Sequence, residues 1–241
     1  ERINWTLSAS FKHQKAKYED IGNSLDQFNK ENLNTSLVRY YDGGSPTALW
    51  AVRSLGINPS DGRELFLTKE GTYTFEYDTE DEVVVGNSEP KLEGVLGSTL
   101  YWKGFSFSLY FRYSLGADVF TEATYNKVEN ISLAGLKSNQ DKRALHDRWQ
   151  KPGDHAKFKG ISLTETTPIS SRFVLRENYI KAESISIGYD FESQAVQKLG
   201  IQSLRLQANT TDLFRISSIK EERGIEYPFA RSFSFSLSAM F

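Results

Sequence analysis

Apolar and polar residues alternate along this chain in six separate runs, and that period of two constrains the fold more than any other feature. In the first run Ile3, Trp5, Leu7, Ala9 and Phe11 are apolar, and Asn4, Thr6, Ser8, Ser10 and Lys12 between them are polar. Leu96, Leu100 and Trp102 share one face of the second, with Gly97 and Thr99 on the other. The third is the clearest. Phe105, Phe107, Leu109, Phe111, Tyr113 and Leu115 lie on one side, and Ser106, Ser108, Tyr110, Arg112 and Ser114 on the other. Ile185, Ile187, Tyr189 and Phe191 then oppose Ser184, Ser186, Gly188 and Asp190, and Leu204, Leu206 and Ala208 oppose Arg205, Gln207 and Asn209. Last, Phe233, Phe235, Leu237, Ala239 and Phe241 oppose Ser232, Ser234, Ser236, Ser238 and Met240.

These runs predict strands near 2–16, 93–102, 105–116, 179–191, 201–213 and 229–241. Each is close to the roughly 9–11 residues that a tilted membrane strand needs. The connections alternate in length: long (17–92), short (Lys103-Gly104), long (117–178), shorter (192–200) and medium (214–228). Outer-membrane barrels have short periplasmic turns and long outer loops, and under that rule the last strand runs inward to Phe241. A soluble β-sandwich also alternates. Structureless loops above roughly 15 residues are uncommon in compact soluble domains, which favours the barrel.

The expected fold class is therefore all-β: a segment of an antiparallel transmembrane β-barrel with long extracellular loops. Backbone groups in lipid must all pair, so such a sheet must close. About eight strands is the usual minimum, and six fall short. The chain opens at Glu1 in mid-pattern without an initiator Met or signal peptide, which reads as a piece of something longer. Tyr101, Trp102, Tyr189, Phe191, Phe241 and Trp5 fall at the short-turn ends and predict an aromatic girdle. Lys181 and Glu183 share the parity of Ile185 and are expected above the bilayer.

Composition removes other classes. No run approaches the roughly 18 apolar residues of a membrane helix. Barrel strands are half polar and pass that filter. With 29 Lys plus Arg against 31 Asp plus Glu, there is no field for nucleic acid or acidic lipid. The chain has no Cys, hence no disulfide, thiolate metal site or Cys nucleophile.

The long connections carry local signals. Gly43-Gly44-Ser45-Pro46 and Asn58-Pro59-Ser60-Asp61-Gly62 are turns. Glu64–Thr68 and Thr72–Tyr77 alternate around Lys69-Glu70-Gly71 and predict a small hairpin, and Val83–Asn87 leads back toward the membrane. Residues 139–149 form a short helix candidate, stopped by Lys151-Pro152-Gly153-Asp154.

Several of these stretches resemble the SusC/RagA family of TonB-dependent transporters. They are Tyr41-Asp42-Gly43-Gly44, Ser54-Leu55-Gly56-Ile57-Asn58-Pro59, Asp61-Gly62-Arg63-Glu64, and Tyr101-Trp102-Lys103-Gly104-Phe105-Ser106-Phe107-Ser108. Further on, Asp147-Arg148-Trp149 with Pro152-Gly153, and Ser170-Ser171-Arg172-Phe173 leading to Ile185-Ser186-Ile187-Gly188-Tyr189, match as well. The ending Tyr227-Pro228-Phe229-Ala230-Arg231-Ser232-Phe233-Ser234-Phe235 is the most specific, with Ser236 where the family usually has Gly. The resemblance covers nearly the whole chain but only the family's C-terminal part. It implies the last six strands of a plugged barrel of about 22 in the bacterial outer membrane. It also implies a SusD-like surface lipoprotein as lid, and TonB as a partner through an N-terminal part absent here. The implied cargo is an oligosaccharide, a peptide or a similar nutrient. The outer loops 17–92 and 117–178 would meet the lid.

No catalytic or metal-binding role is expected. His13, His146 and His155 lack zinc-site spacing, and Asp141, Asp147 and Asp154 form no EF-hand series, although scattered loop carboxylates leave a Ca²⁺ site open. The serines have no nucleophile elbow. Phe233, Phe235, Leu237, Ala239 and Phe241 read as the terminal signal for the barrel-assembly machinery. Tyr110, Arg112, Arg205, Gln207 and Asn209 are placed on the lumen side, to line a substrate path or to brace a plug. Trp50 and Trp149 are loop aromatics open to three roles: stacking on a ligand, touching the lid, or packing within their own loops. Two other functions remain open, a surface-binding or adhesion barrel without transport and a soluble β-sandwich binding module.

Overall fold

A computed structural model of the chain describes residues 3–162, 164–191, 198, 200–220 and 231–241. The Tyr227–Ala230 part of the C-terminal motif and nearly all of the 192–200 connection lie outside the described residues. The chain divides into two compact units. The first comprises Glu1–Gln14, Pro90–Gly116 and Glu177–Phe241; the second comprises Lys15–Glu89 and Ala117–Arg176. Among the described residues no helix is long and apolar enough to cross a membrane.

The first unit is built on one antiparallel sheet. Its strands are β1 (Asn4–Ala9), β6 (Leu92–Trp102), β7 (Phe105–Phe120), β8 (Val174–Phe191), β9 (Ser203–Thr211) and β11 (Phe233–Met240), in the order β1-β6-β7-β8-β9-β11. A short strand, β10 (Arg215–Ser217), also pairs with β8. All six expected runs are present as strands. β7 and β8 are longer than their alternation, at 16 and 18 residues. β1 is shorter, and hydrogen bonds between Lys12 and Glu93 carry its pairing further. Lys103 and Gly104 join β6 to β7 as a two-residue turn with φ of 50° and 81°. Positive φ at both central positions matches the twist of a hairpin, and Gly carries it without cost.

Register shows why these sequences form this sheet. Trp5, Leu100 and Phe107 stand in one row, and Leu7, Ser98 and Leu109 in the next. On the far side, Ile187, Ala208 and Phe235 form a row, as do Tyr189, Leu206 and Leu237. A one-residue slip would send each of these side chains to the other face, so the pattern pins the pairing.

Two expected placements are corrected. Tyr101 pairs with Asn4 and Ser106, so it stands on the polar face, whereas Trp102 pairs with Phe105 on the apolar one. The girdle reading is thereby corrected for Tyr101. Glu183 does not share the face of Ile185 either. Its carboxylate takes Nε and Nη2 of Arg112 at 2.7 and 2.8 Å. Arg112 lies on the face of Ser106, and Ser106 accepts a hydrogen bond from Arg205, the register partner of Asp190. The pleat is therefore interrupted between Glu183 and Ser184. Pairing shifts at the same place, from Ser184↔Thr211 to Lys181↔Arg215, across Asp212 with φ of 49°. An irregularity of this kind re-aims side chains.

The second unit carries a four-stranded antiparallel sheet inside the first long connection. β2 (Ala48–Ile57), β3 (Glu64–Leu67), β4 (Tyr73–Thr74) and β5 (Glu82–Asn87) are ordered β4-β3-β2-β5. β3 and β4 are the expected hairpin. β2 was not legible, because Ala48, Leu49, Ala51 and Val52 are all buried and so show no period of two. The Val83–Asn87 stretch lies in β5, paired with β2. The helix expected over 139–149 is a single turn, α2 (Arg143–His146). The chain leaves it because Arg148 bridges to Phe158 and Trp149 N–H donates to the Phe158 carbonyl. Val128, Ala144, Phe158 and Phe173 form the core there, with Phe120, Tyr125 and Ile131 packed against them. Helix α1 (Asp26–Glu31) completes the regular elements used below.

Candidate functional site

The sheet of the first unit presents two unlike faces. On one, large apolar side chains stand in the open: Leu7 is 65% exposed, Ile187 50% and Phe235 77%, with Trp5, Phe105, Leu206 and Leu237 among them. Exposed apolar side chains spread over several neighbouring strands mark an interaction surface, for a membrane or another protein. Trp102, Phe105, Tyr189 and Phe191 gather at one end of it, with Phe105 4.5 Å and Phe191 4.7 Å from Tyr189 between ring centroids. The C-terminal residues Phe233, Phe235, Leu237 and Ala239 belong to this face, on a strand whose only partner among the described residues is β9; Phe241 follows the end of that strand.

The other face is polar and knitted within itself. Ser8, Gly97 and Tyr110 form one row. A Cβ on Gly97 would meet Ser8 Oγ at 2.4 Å and the Tyr110 ring at 2.8 Å, so the glycine makes room for that ring. Arg112 is held by Glu183 in a two-point ion pair. Arg205 donates to Ser106 at 3.0 Å and lies 3.6 Å from Asp190. Gln207 Nε2 donates to Ser186 and to Asn209, both at 2.8 Å. The five polar residues singled out from sequence thus share one face, and Arg112, Arg205, Gln207 and Asn209 are tied to neighbours on it.

In the second unit, three stretches that look unrelated in sequence meet. Ser170 Oγ donates to Glu64 at 2.6 Å, and Arg172 grips the same carboxylate at 2.8 Å and Glu129 at 3.1 Å. Thr167 Oγ1 donates to Glu129, and Arg148 donates to the Glu129 carbonyl at 2.7 Å. Burial lowers the pKa of Arg172, but the hydrogen bonds of Glu64 and Glu129 outweigh it and hold the pKa above the ordinary arginine value. Arg148, buried among backbone carbonyls, is pulled below that value by desolvation. Apart from Arg148 Nε, which is buried without a hydrogen-bond partner among the described residues, these groups satisfy one another, which suits a brace.

Trp149 lies flat on Gly62, where a Cβ would come within 2.5 Å of its ring, and its indole N–H donates to the Pro59 carbonyl at 2.9 Å. Trp50 packs against Tyr41 with centroids 5.3 Å apart and lines a cavity of about 920 Å³. His146 and His155 line a smaller cavity of about 380 Å³. Among the described residues no group of three His, Asp or Glu side chains is placed to hold a metal ion.

No protein-family model matches the chain. TonB-dependent receptor P39 of Formosa agariphila is 24% identical over 161 residues, 65% of this chain and 15% of its own length. TonB-dependent receptor P26 of the same organism is 24% identical over 241 residues, covering 91% of this chain and 23% of the receptor. The chain thus spans less than a quarter of these curated relatives. Among solved structures, the RagAB peptide transporter superposes with a TM-score of 0.76 at 16% identity, over 98% of this chain and 27% of that one. The RagAB peptide importer in its open-open state gives 0.74 at 16% identity. The chain is similar to a segment of TonB-dependent receptors and shares the fold of the matching part of RagAB.

Sequence reasoning missed Glu64, Glu129, Arg39 and Glu82. One signal was available for Glu64. It alternates with Phe66, so it must point inward, and an inward carboxylate requires a partner. Nothing local marked Glu129 or Arg39, whose partners lie 43 residues away.

Proposed function

We propose that this chain supplies wall strands and outer loops to a plugged outer-membrane barrel of about 22 strands that imports nutrients too large for porins. The observation that carries the reading is the two-faced sheet, exposed and apolar on one side, polar and internally bonded on the other. Such a sheet suits lipid outside and a wet or plugged lumen inside. Because backbone groups in lipid must all pair, its edge strands β1 and β11 require neighbours. A SusD-like lipoprotein would close over the barrel as a lid, and TonB would couple inner-membrane energy to displacement of the plug. The likeness to RagAB supports the lid, and the TonB-dependent relatives support the coupling. Oligosaccharides and peptides are the cargo classes. The chain's own residues form a conduit and carry no reaction step.

The test is uptake by whole cells. Deleting the full-length gene, or removing TonB, abolishes accumulation of the cargo inside the outer membrane while porin-sized solutes still enter. Surface binding of cargo that survives without any TonB-dependent uptake would contradict the proposal in favour of an adhesion barrel.

A further inference from the structure

The 920 Å³ cavity of the second unit has a definite chemical character. Its size lies at the upper end of the roughly 300–1,000 Å³ range of ligand pockets, room for a few peptide residues. One part of its wall is the Tyr41–Trp50 pair, tilted at 56°. Neither the Tyr41 hydroxyl nor the Trp50 indole N–H has a hydrogen-bond partner among the described residues. Beside Glu82, which Arg39 holds, five carboxylates line the cavity against two lysines, Lys30 and Lys69. Asp78 and Asp81 accept backbone N–H groups of Glu80 and Lys69. Asp26, Glu70 and Glu80 have no side-chain partner among the described residues.

The excess negative charge selects among ligand classes. An anionic cargo is repelled. A neutral sugar could stack on the rings but would gain nothing from the carboxylates, whose partial desolvation would go uncompensated. The carboxylates are spread along the cleft, and no three of them converge on a metal ion among the described residues. An extended cation satisfies both features. Ammonium or guanidinium groups pair with free carboxylates, and one of them lies over an aromatic ring.

We infer that this cleft binds a positively charged peptide segment, with Asp26, Glu70 and Glu80 taking its basic side chains and Tyr41–Trp50 forming its platform. The inference rests on the import reading only in treating the cleft as a place where cargo is met.

The experiment uses the purified full-length protein and a fluorescein-labelled hexapeptide of alternating Gly and Lys, with versions carrying Ser or Glu in place of Lys. The Lys peptide binds at least ten-fold tighter than the Ser peptide at low salt, and the difference shrinks as salt screens the charges. Glu70→Gln with Glu80→Gln weakens Lys-peptide binding at least five-fold, and Trp50→Leu weakens it as well. Equal binding of the Lys and Ser peptides, or unchanged affinity in the double variant, overturns the inference. So does displacement of the Lys peptide by a neutral hexasaccharide. TonB-dependent uptake measured in parallel separates the two claims. Uptake without selective Lys-peptide binding overturns the cleft assignment alone, whereas selective binding without uptake supports the cleft and overturns the import reading.

Discussion

Arg39 and Glu82 form a two-point ion pair, Nη2 to Oε1 at 2.8 Å and Nε to Oε2 at 3.0 Å, with side chains only 1% and 8% exposed. The remaining guanidinium nitrogen donates to the Ser36 and Val38 carbonyls. The pair therefore fixes the start of β5 to the segment before β2, with every nitrogen of the guanidinium engaged.

Removing one partner from such a pair leaves a buried charge behind. Arg39→Met is expected to destabilise this unit by about 3–5 kcal/mol. The readout is amide hydrogen exchange over β2 and β5 in the full-length protein. Burial already raises the Glu82 carboxyl above its ordinary value, against the pull of Arg39. Without Arg39 it rises further. A carboxyl whose folded pKa is raised binds more protons folded than unfolded, so stability falls as pH rises through that pKa. The variant is thus nearest the parent at acid pH, and its deficit grows toward neutrality. A deficit that shrinks with rising pH would contradict this account.

Gly94 lies where β6 passes β1, and a Cβ there would come within 1.9 Å of the Ser10 carbonyl oxygen. That obstacle is backbone, so no rotamer change relieves it. Gly94→Ala should force the end of β1 away from β6 and raise exchange at Ser10 and Lys12, whose N–H groups bond Val95 and Glu93. Gly97→Ala, which meets side-chain atoms of Ser8 and Tyr110, should do less. Equal effects at the two sites would count against the geometry.

Trp149 is expected to act as a brace between two turns. Trp149→Ala should loosen the Pro59–Gly62 turn and residues 147–158, at a cost of roughly 0.5–3 kcal/mol. Peptide binding at the Tyr41–Trp50 cleft should stay within two-fold of the parent, about 0.4 kcal/mol. The checks are hydrogen exchange for the first and peptide titration for the second. Loss of binding with unchanged exchange would assign Trp149 to ligand instead.

The terminal strand gives a test of the assembly reading. Phe241→Ser together with Phe235→Ser should lower the amount of full-length protein in the outer membrane several-fold. Ser236→Ala with Ser238→Ala, on the opposite face, should leave it unchanged. Immunoblots of separated membranes decide the matter, and equal amounts in both variants would remove the special status of these aromatics.

The wall was legible because a sheet with two unlike solvents writes its faces into every second residue. Phe105 through Leu115 and Phe233 through Phe241 state their register almost without help. Glu183 was misplaced because alternation assumes an unbroken pleat; Tyr101 was misplaced because it was assigned by its position at the strand end, whereas its parity with Gly97 and Thr99 puts it on the polar face. The second unit was far less legible. β2 is buried on both sides, so its sequence lacks the period that marks the wall. Glu64, Glu129 and Arg172 come together through pairings 43 and 108 residues apart, which no local pattern encodes. The Tyr41–Trp50 cleft was half visible. Trp50 stood out as a loop aromatic, while the carboxylates around it looked like ordinary solvated loop charges.

The central claim is that the apolar face of the sheet meets lipid and the polar face does not. This chain has no Cys, so a single probe can be placed on it once any Cys elsewhere in the full-length protein is replaced. Leu109→Cys, Ile187→Cys and Phe235→Cys would sample one face; Tyr110→Cys, Ser186→Cys and Ser236→Cys would sample the other. Each variant of the full-length protein is labelled with a small fluorophore and reconstituted in bilayers of bromine-labelled lipid. The account predicts strong quenching at 109, 187 and 235, and little at 110, 186 and 236. Equal quenching on both faces, or quenching confined to 110, 186 and 236, would contradict it.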